Sequence, residues 1–212
     1  MSAGKNKTMY VSVMGTMGSG KTTAAKLISR ELGLGLIEEN FGENAFLPRF
    51  YNDMKRWAFH SQTFFLMEKI TQMREASGIL EKGSLVQDTP IQQDAFSYAK
   101  AQHVLGNIDD AEWRLYQKIY KSFEPYFPRL DLIVYLETSI QIVLERIEAR
   151  GRGYEKKISQ SYVELLDMLN HTWLGDNKNI PVLTIQTDNL NIVKSTTAQK
   201  QLVDLVKKKL HA

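Results

Sequence analysis

The sequence predicts an α/β fold, a five-stranded parallel sheet with helices on both faces. Three observations predict it. Five short apolar runs alternate with stretches of helical periodicity along the 212 residues, which is the pattern that strands joined by crossover helices produce. The first run passes directly into a glycine-rich loop and then a helical pattern. Hydrophobic residues make up 43% of the chain, enough at this length for one sizeable core and not for two independent ones. A single domain over residues 1–212 is therefore expected.

The elements follow in order. Tyr10 to Met14 reads as the first strand, and Thr22 to Leu32 as the first helix, closed by Gly33 at a position that favours a left-handed backbone. Leu34 to Ile37 is the second strand. A long helix is expected from Asp53 to about Leu80, ending before Gly83, and Leu85 to Gln87 is the third strand. Helical patterns then cover Gln92 to Leu105 and Asp109 to Phe123. Pro125 and Pro128 interrupt the chain ahead of the fourth strand, Leu132 to Leu136. Helices from Ser139 to Ala149 and Ile158 to Trp173 precede the fifth strand, Val182 to Ile185, and a last helix runs from Thr196 to Leu210. All five strands are apolar enough to be expected buried. Lys207, Lys208 and Lys209 fall in the last turn of the final helix, where cations suit the helix dipole. No repeat, low-complexity tract or linker interrupts the series.

The loop after the first strand is Gly15-Thr16-Met17-Gly18-Ser19-Gly20-Lys21-Thr22, a complete G-x-x-x-x-G-K-[ST] phosphate-binding motif with Thr23 continuing into the helix. Its glycines let successive N–H groups point at phosphate oxygens, and the helix N-terminus adds its positive end to the same place. The chain therefore handles a nucleoside triphosphate. Lys21 is placed to bridge the terminal phosphates, and the Thr22 hydroxyl to reach a magnesium ion.

Composition removes several other classes. With 27 basic and 24 acidic residues the net charge is +3, too small to argue for nucleic acid. The absence of cysteine excludes disulfides and thiolate zinc sites, and the four histidines lack metal-ligand spacing. No run of about 18 apolar residues suits a membrane span, and Met1 to Lys7 carry no apolar core of a signal peptide. A soluble, cytoplasmic protein is expected.

In open parallel sheets the ligand lies beyond the carboxyl ends of the strands. Glu38 and Glu39 follow the second strand, and Asp88 follows the third. A carboxylate at the third position can hold the magnesium shell together with Thr22, and one across the cleft can take a proton from an attacking hydroxyl. The bland alternative is an acid that caps a helix or faces water. Arg146, Arg150 and Arg152 lie where a helix runs out into a glycine-containing loop, and Arg146 and Arg150, four apart, share a face. Their planar guanidinium groups suit phosphate oxygens, so this segment reads as an arginine-bearing lid.

These residues resemble the deoxynucleoside kinase family, in particular its bacterial deoxyadenosine and deoxyguanosine kinase branch. Four segments carry the resemblance in order: Gly15 to Thr22; Glu39 with Glu43-Asn44-Ala45-Phe46-Leu47; Phe50 to Trp57 followed by Gln62; and Arg150-Gly151-Arg152-Gly153-Tyr154-Glu155. The resemblance implies the P-loop kinase fold, ATP as donor, magnesium, and a homodimer. It also implies that Glu39 is the general base, that Tyr51 and Glu155 bind the sugar 3′-hydroxyl, and that Gln62 reads the base. Arg150 and Arg152 match lid arginines on the transferred phosphoryl group. Lys69 and Asp94 stand where relatives often hold a basic and an acidic residue that bind the base edge together. Against this, Lys69 on a helix surface could pair with an exposed acid such as Glu68. Phe64, Phe65 and Met67 could stack on a base, although such a stripe is more often core.

The chain also departs from the family. Relatives mostly carry Asp-Arg-Ser or Glu-Arg-Ser where this chain reads Asp88-Thr89-Pro90, so a cation that would stabilise developing negative charge is missing. Either another cation substitutes or the chemistry is slow. Pro90 is expected as the first residue of the following helix. The family's Glu-Pro is altered to Glu39-Asn40.

The expected function is ATP-dependent phosphorylation of the 5′-hydroxyl of a deoxynucleoside in nucleoside salvage, with a purine favoured and deoxycytidine a further candidate. Two alternatives remain at this point. One is a nucleoside monophosphate kinase, with the acceptor phosphate on Arg49 or Arg56. The other is a catalytically impaired nucleotide-binding protein, motivated by the missing arginine. A GTPase is disfavoured, because Asn177-Lys178-Asn179-Ile180 lacks the acid of a guanine motif.

Overall fold

Five strands, β1 (Tyr10–Gly15), β2 (Gly35–Ile37), β3 (Leu85–Asp88), β4 (Leu132–Glu137) and β5 (Val182–Gln186), pair in one sheet. The structure, a computed structural model, describes residues 8–39, 42, 44–153 and 158–210. The spatial order is β2-β3-β1-β4-β5 and every pairing is parallel. From β1 the chain crosses to β2 on one side, and from β3 it crosses to β4 on the other. The crevice where the direction reverses lies between β1 and β3, where ligands settle in open α/β sheets. The register Val13↔Asp88 sets the end of β3 beside the start of the glycine-rich loop.

Alternation along β1 builds the two cores. Val11 and Val13, with Val86, Val134 and Leu136, face the side covered by α1 (Lys21–Leu32) and α9 (Thr196–Leu210), meeting Ile28 and Leu202. Tyr10 and Met14, with Leu85 and Ile133, face the side covered by α3 (Met54–Leu80) and α6 (Asp110–Phe123), meeting Leu66, Met73 and Tyr116. A run that is apolar at nearly every position satisfies both faces at once.

The strand ends agree with the expected ones to within one residue. Uniform burial does not hold. β1 and β3 are buried throughout, but in β5 only Ile185 is buried, and Gly35 and Leu36 of β2 are half-buried. Both strands lie at sheet edges, where a neighbouring strand covers only one side.

Local rules account for the helix boundaries. Gly33 closes α1 with φ 66°, its N–H donating to Ser29 O. Asp53 caps α3, accepting from Arg56 N at 3.1 Å. Asp109 caps α6 in a reciprocal box with Glu112. A short helix not expected from sequence, α2 (Leu47–Asn52), precedes α3 and buries Phe50. The helix expected from Gln92 to Leu105 is α4 (Ile91–Gln93), a π-helical stretch (Asp94–Ala99) and α5 (Lys100–Val104) in continuous succession. Pro90 precedes it as an extended cap, one position earlier than expected. The remaining helices are α7 (Ile140–Arg150) and α8 (Gln160–Asp176). No helix among the described residues is long and apolar enough to cross a membrane.

Candidate active site

The loop between β1 and α1 needs its glycines. Gly15, Gly18 and Gly20 have φ of 154°, 81° and 101°. A Cβ on Gly15 would lie 2.6 Å from Ser19 Oγ and 2.8 Å from Leu136 O, distances that do not occur between such atoms. The side-chain amide of Gln93 grips Gly15 twice, accepting from its N–H at 3.3 Å and donating to its carbonyl at 2.6 Å. Thr16 donates to Asp167 Oδ1 of α8 at 3.1 Å. Lys21 is buried, donates to Thr16 O at 3.3 Å, and is held below its ordinary pKa by burial, with Asp88 and Glu39 opposing the shift. The Ser19 hydroxyl is buried without a hydrogen-bond partner. A curled backbone, a lysine and an unsatisfied hydroxyl fit a bound polyphosphate.

Thr22 Oγ1 donates to Asp88 Oδ2 at 2.6 Å. These hard oxygen donors suit magnesium. Among the described residues no group of three or more His, Cys, Asp or Glu side chains could hold a metal, so the pair fits an ion completed by phosphate oxygens and water and not one held in a protein cage.

A cleft of ≈ 780 Å³ opens above this floor, within the range of small-molecule sites. Met17 to Thr23 form one wall. Glu39 lies across from them, its side chain 8% exposed. Burial raises its pKa, and the Lys69 ammonium at 3.8 Å opposes the shift. Of the two acids after β2, only Glu39 lines the cleft; Glu38 turns to solvent and pairs with Lys26 at 2.6 Å. Its backbone is nevertheless held, because Gln72 donates to Glu38 O at 3.0 Å and accepts from Gln87, whose own amide oxygen accepts from the Tyr10 hydroxyl.

Tyr51, Gln62 and Asp94 line the same cleft. Gln62 is 5% exposed, buried in the wall of the cleft and not a surface side chain of α3. Asp94 comes from the π-helical stretch; burial pushes its pKa well up despite Lys69 at 3.9 Å, and Oδ2 has no hydrogen-bond partner. Lys69 is 1% exposed and lies beneath the cleft, not among its lining residues, so the reading as a surface partner of Glu68 fails. Gly15, Thr16 and Asp88 are likewise buried below the lining. Thr89, at the position of the missing arginine, has φ 64°, a left-handed conformation that costs a β-branched residue about 1–3 kcal/mol.

All three lid arginines line the cleft. Arg146 is committed to the protein itself, donating to Ser19 O at 3.3 Å and to Thr187 O at 2.6 Å, and so ties α7 to the glycine-rich loop. Arg150 stands near enough to Lys21 to lower its pKa. Glu155 lies outside the described residues.

Of the stripe on α3, Phe65 lines the cleft, Phe64 is half-buried and Met67 is 46% exposed; the core stripe is Leu66, Ile70 and Met73. Arg49 and Arg56 sit outside the cleft, 5.0 and 5.3 Å over the Trp57 ring. Sequence reasoning missed Phe50, Tyr98 and Tyr162, and the loop from Asp188 to Lys194. That loop was discoverable, since it follows the carboxyl end of β5. Tyr98 was not, because π-helical winding sets its direction.

A parallel sheet in this strand order, a phosphate loop at its switch point and an acid facing that loop across a cleft define a P-loop phosphotransferase. Residues 11–211 match the family model described as deoxynucleoside kinase. The chain belongs to that family. It is 31% identical to the deoxyadenosine/deoxycytidine kinase of Bacillus subtilis (strain 168) over 208 residues, 97% of this chain and 94% of the relative. It is 29% identical to the deoxyguanosine kinase of the same organism over 207 residues, 95% and 98% of the two chains. The structure of deoxyadenosine kinase from M. mycoides with the products dCMP and a flexible dCDP bound superposes with a TM-score of 0.82 at 25% identity, covering 96% of this chain and 99% of that one.

Proposed function

We propose that this deoxynucleoside kinase transfers the γ-phosphate of ATP to the 5′-hydroxyl of a purine deoxynucleoside, with deoxycytidine as a second acceptor. The observation that carries the reading is Glu39, a buried carboxylate of raised pKa that faces Lys21 and the phosphate loop across the cleft. A carboxylate made more basic by burial suits proton abstraction from an alcohol as it attacks in line. Lys21 and the lid arginines Arg150 and Arg152 gather the charge that develops on the transferred group. Thr22 and Asp88 are the residues that would hold magnesium, which when bound neutralises phosphate charge.

Gln62 offers a donor and an acceptor in one plane, the complement of an adenine or cytosine edge. Tyr51 and, by resemblance, Glu155 take the sugar 3′-hydroxyl. Relatives named for deoxyadenosine, deoxyguanosine and deoxycytidine support this range of acceptors. One domain acting as a cytoplasmic homodimer in nucleoside salvage completes the reading, and the exposed Met67, Leu115 and Phe123 on α3 and α6 supply apolar surface for a second copy.

The test is transfer from ATP and magnesium to the four deoxynucleosides, their monophosphates and the ribonucleosides, each assayed separately. Monophosphate formed from deoxyadenosine, deoxyguanosine or deoxycytidine is the expected result. Diphosphate formed from a monophosphate instead would overturn it.

A further inference from the structure

Lys69 is a buried cation between two carboxylates, Glu39 and Asp94, and its position decides what it does. Its spacing of seven from Gln62 puts both on one face of α3, yet Gln62 lines the cleft and Lys69 does not. The ammonium instead turns to the end of β3. It donates to Thr89 O at 2.6 Å and to Asp88 O at 3.1 Å, which uses two of its three protons. On either side stand Glu39 Oε1 at 3.8 Å and Asp94 Oδ2 at 3.9 Å.

We propose that Lys69 is a positioning residue for Glu39 and the Asp88-Thr89 turn, bracing the catalytic edge of the acceptor site, and that base reading is left to Gln62 and Asp94. The inference rests on the phosphotransfer reading above and assigns a role that the reading leaves open.

Three features of the geometry lead there. Two successive backbone carbonyls accept from one ammonium, which holds the peptide between them in place, and the Thr89 residue so held has φ 64°. The Thr89 N–H is held in turn by Val13 O at 3.1 Å, so the turn is fixed from the sheet on one side and from α3 on the other. The local charges then bear on the same point. Glu39, Asp88 and Asp94 act on Lys21 together with the Arg150 cation, and removing Lys69 takes away the cation that stands between Glu39 and Asp94. A charge this deeply buried is retained only when its surroundings compensate it, and beside Asp94 the compensating groups are Glu39 and the carbonyls of Asp88 and Thr89. Finally, Glu39 follows β2 at a chain segment anchored through Gln72, and Lys69 lies one helical turn before Gln72 on α3. The same helix therefore holds the backbone of residue 38 and the carboxylate of residue 39.

The experiment compares the wild-type chain with Lys69→Met, Lys69→Gln and Lys69→Ala for kcat and KM on deoxyadenosine, deoxyguanosine and deoxycytidine, with thermal melting as the check on folding. Lys69→Gln keeps two donors for the carbonyls without the charge and decides the matter if the Met variant does not fold. Expected is a fall in kcat of about 100-fold or more, equal for the three nucleosides, with KM within about threefold and the order of preference unchanged. Ethylammonium added to Lys69→Ala should restore kcat at least about tenfold, as a cation in the vacated space, whereas ethanol should not. Variants that keep wild-type kcat but reverse the order of nucleosides overturn the inference and make Lys69 a base reader. Equal restoration by ethanol and ethylammonium overturns it in favour of simple space filling. A wild-type chain that phosphorylates no deoxynucleoside removes the underlying reaction, which is a different result from either.

Discussion

The Thr22 hydroxyl donates to Asp88 Oδ2 at 2.6 Å, joining the first turn of α1 to the end of β3 across 66 residues of sequence. Asp88 has no reason to be buried there for packing alone, since a carboxylate 1% exposed costs free energy unless something charged compensates it. Replacing Asp88 by Asn keeps the shape and removes the charge. The expected outcome is a kcat lowered by about 10²–10³ and a higher magnesium concentration at half-maximal rate, read from a metal titration of the initial rate.

Glu39→Gln should lower kcat by about 10²–10⁴, the usual contribution of a positioned base, while deoxynucleoside affinity measured by calorimetry stays within about threefold. The wild-type pH profile carries the same assignment. Burial raises the Glu39 pKa, and the base must be ionised to accept a proton. The acid limb of kcat/KM should therefore lie above the ordinary glutamate value, with activity falling as pH drops through it. A limb at or below that value would show that another group limits the rate.

Asp94 makes stability depend on pH in the less usual direction. Its folded pKa is raised well above the unfolded value by burial, so between the two the folded state binds more protons than the unfolded one. Stability then falls as pH rises through that window. Asp94→Asn should flatten this slope in denaturant titrations run at successive pH values. An unchanged slope would assign the uptake to another group.

Gln93→Ala removes both hydrogen bonds to Gly15 and leaves a buried N–H and a buried carbonyl without them. A loss of about 1–3 kcal/mol of stability follows, together with a raised KM for ATP, because Gly15 opens the phosphate loop. Chemical denaturation and ATP saturation curves measure the two effects separately. A KM unchanged in a destabilised variant would confine Gln93 to the fold.

The strands and the phosphate loop were legible because each is a local pattern. Five buried or half-buried strands show as apolar runs, and Gly15 to Thr22 as fixed residue types at fixed spacing, whatever the rest of the chain does. The choice between Glu38 and Glu39 was not legible from strand position alone: adjacent residues leave a strand on opposite faces, and only the packed sheet shows which side carries the cleft. Resemblance picked Glu39, and of the two acids it is Glu39 that lines the cleft with the phosphate loop. Lys69 shows the limit most clearly. Helical spacing aligned it with Gln62, but a long flexible side chain reaches in any of several directions, and its direction was set by the carbonyls and carboxylates of three other elements.

The amino-acid sequence by itself determined the α/β class, the five strands, the phosphate loop and the family resemblance, because these depend on periodicity and on residues adjacent in the chain. Only the tertiary structure decided which strands lie at the edges, that residues 94–99 wind as a π-helix, and that Lys69 belongs to the end of β3 and not to the cleft wall. Those outcomes depend on which buried charges and backbone groups meet across elements distant in sequence, and such meetings leave no periodic trace.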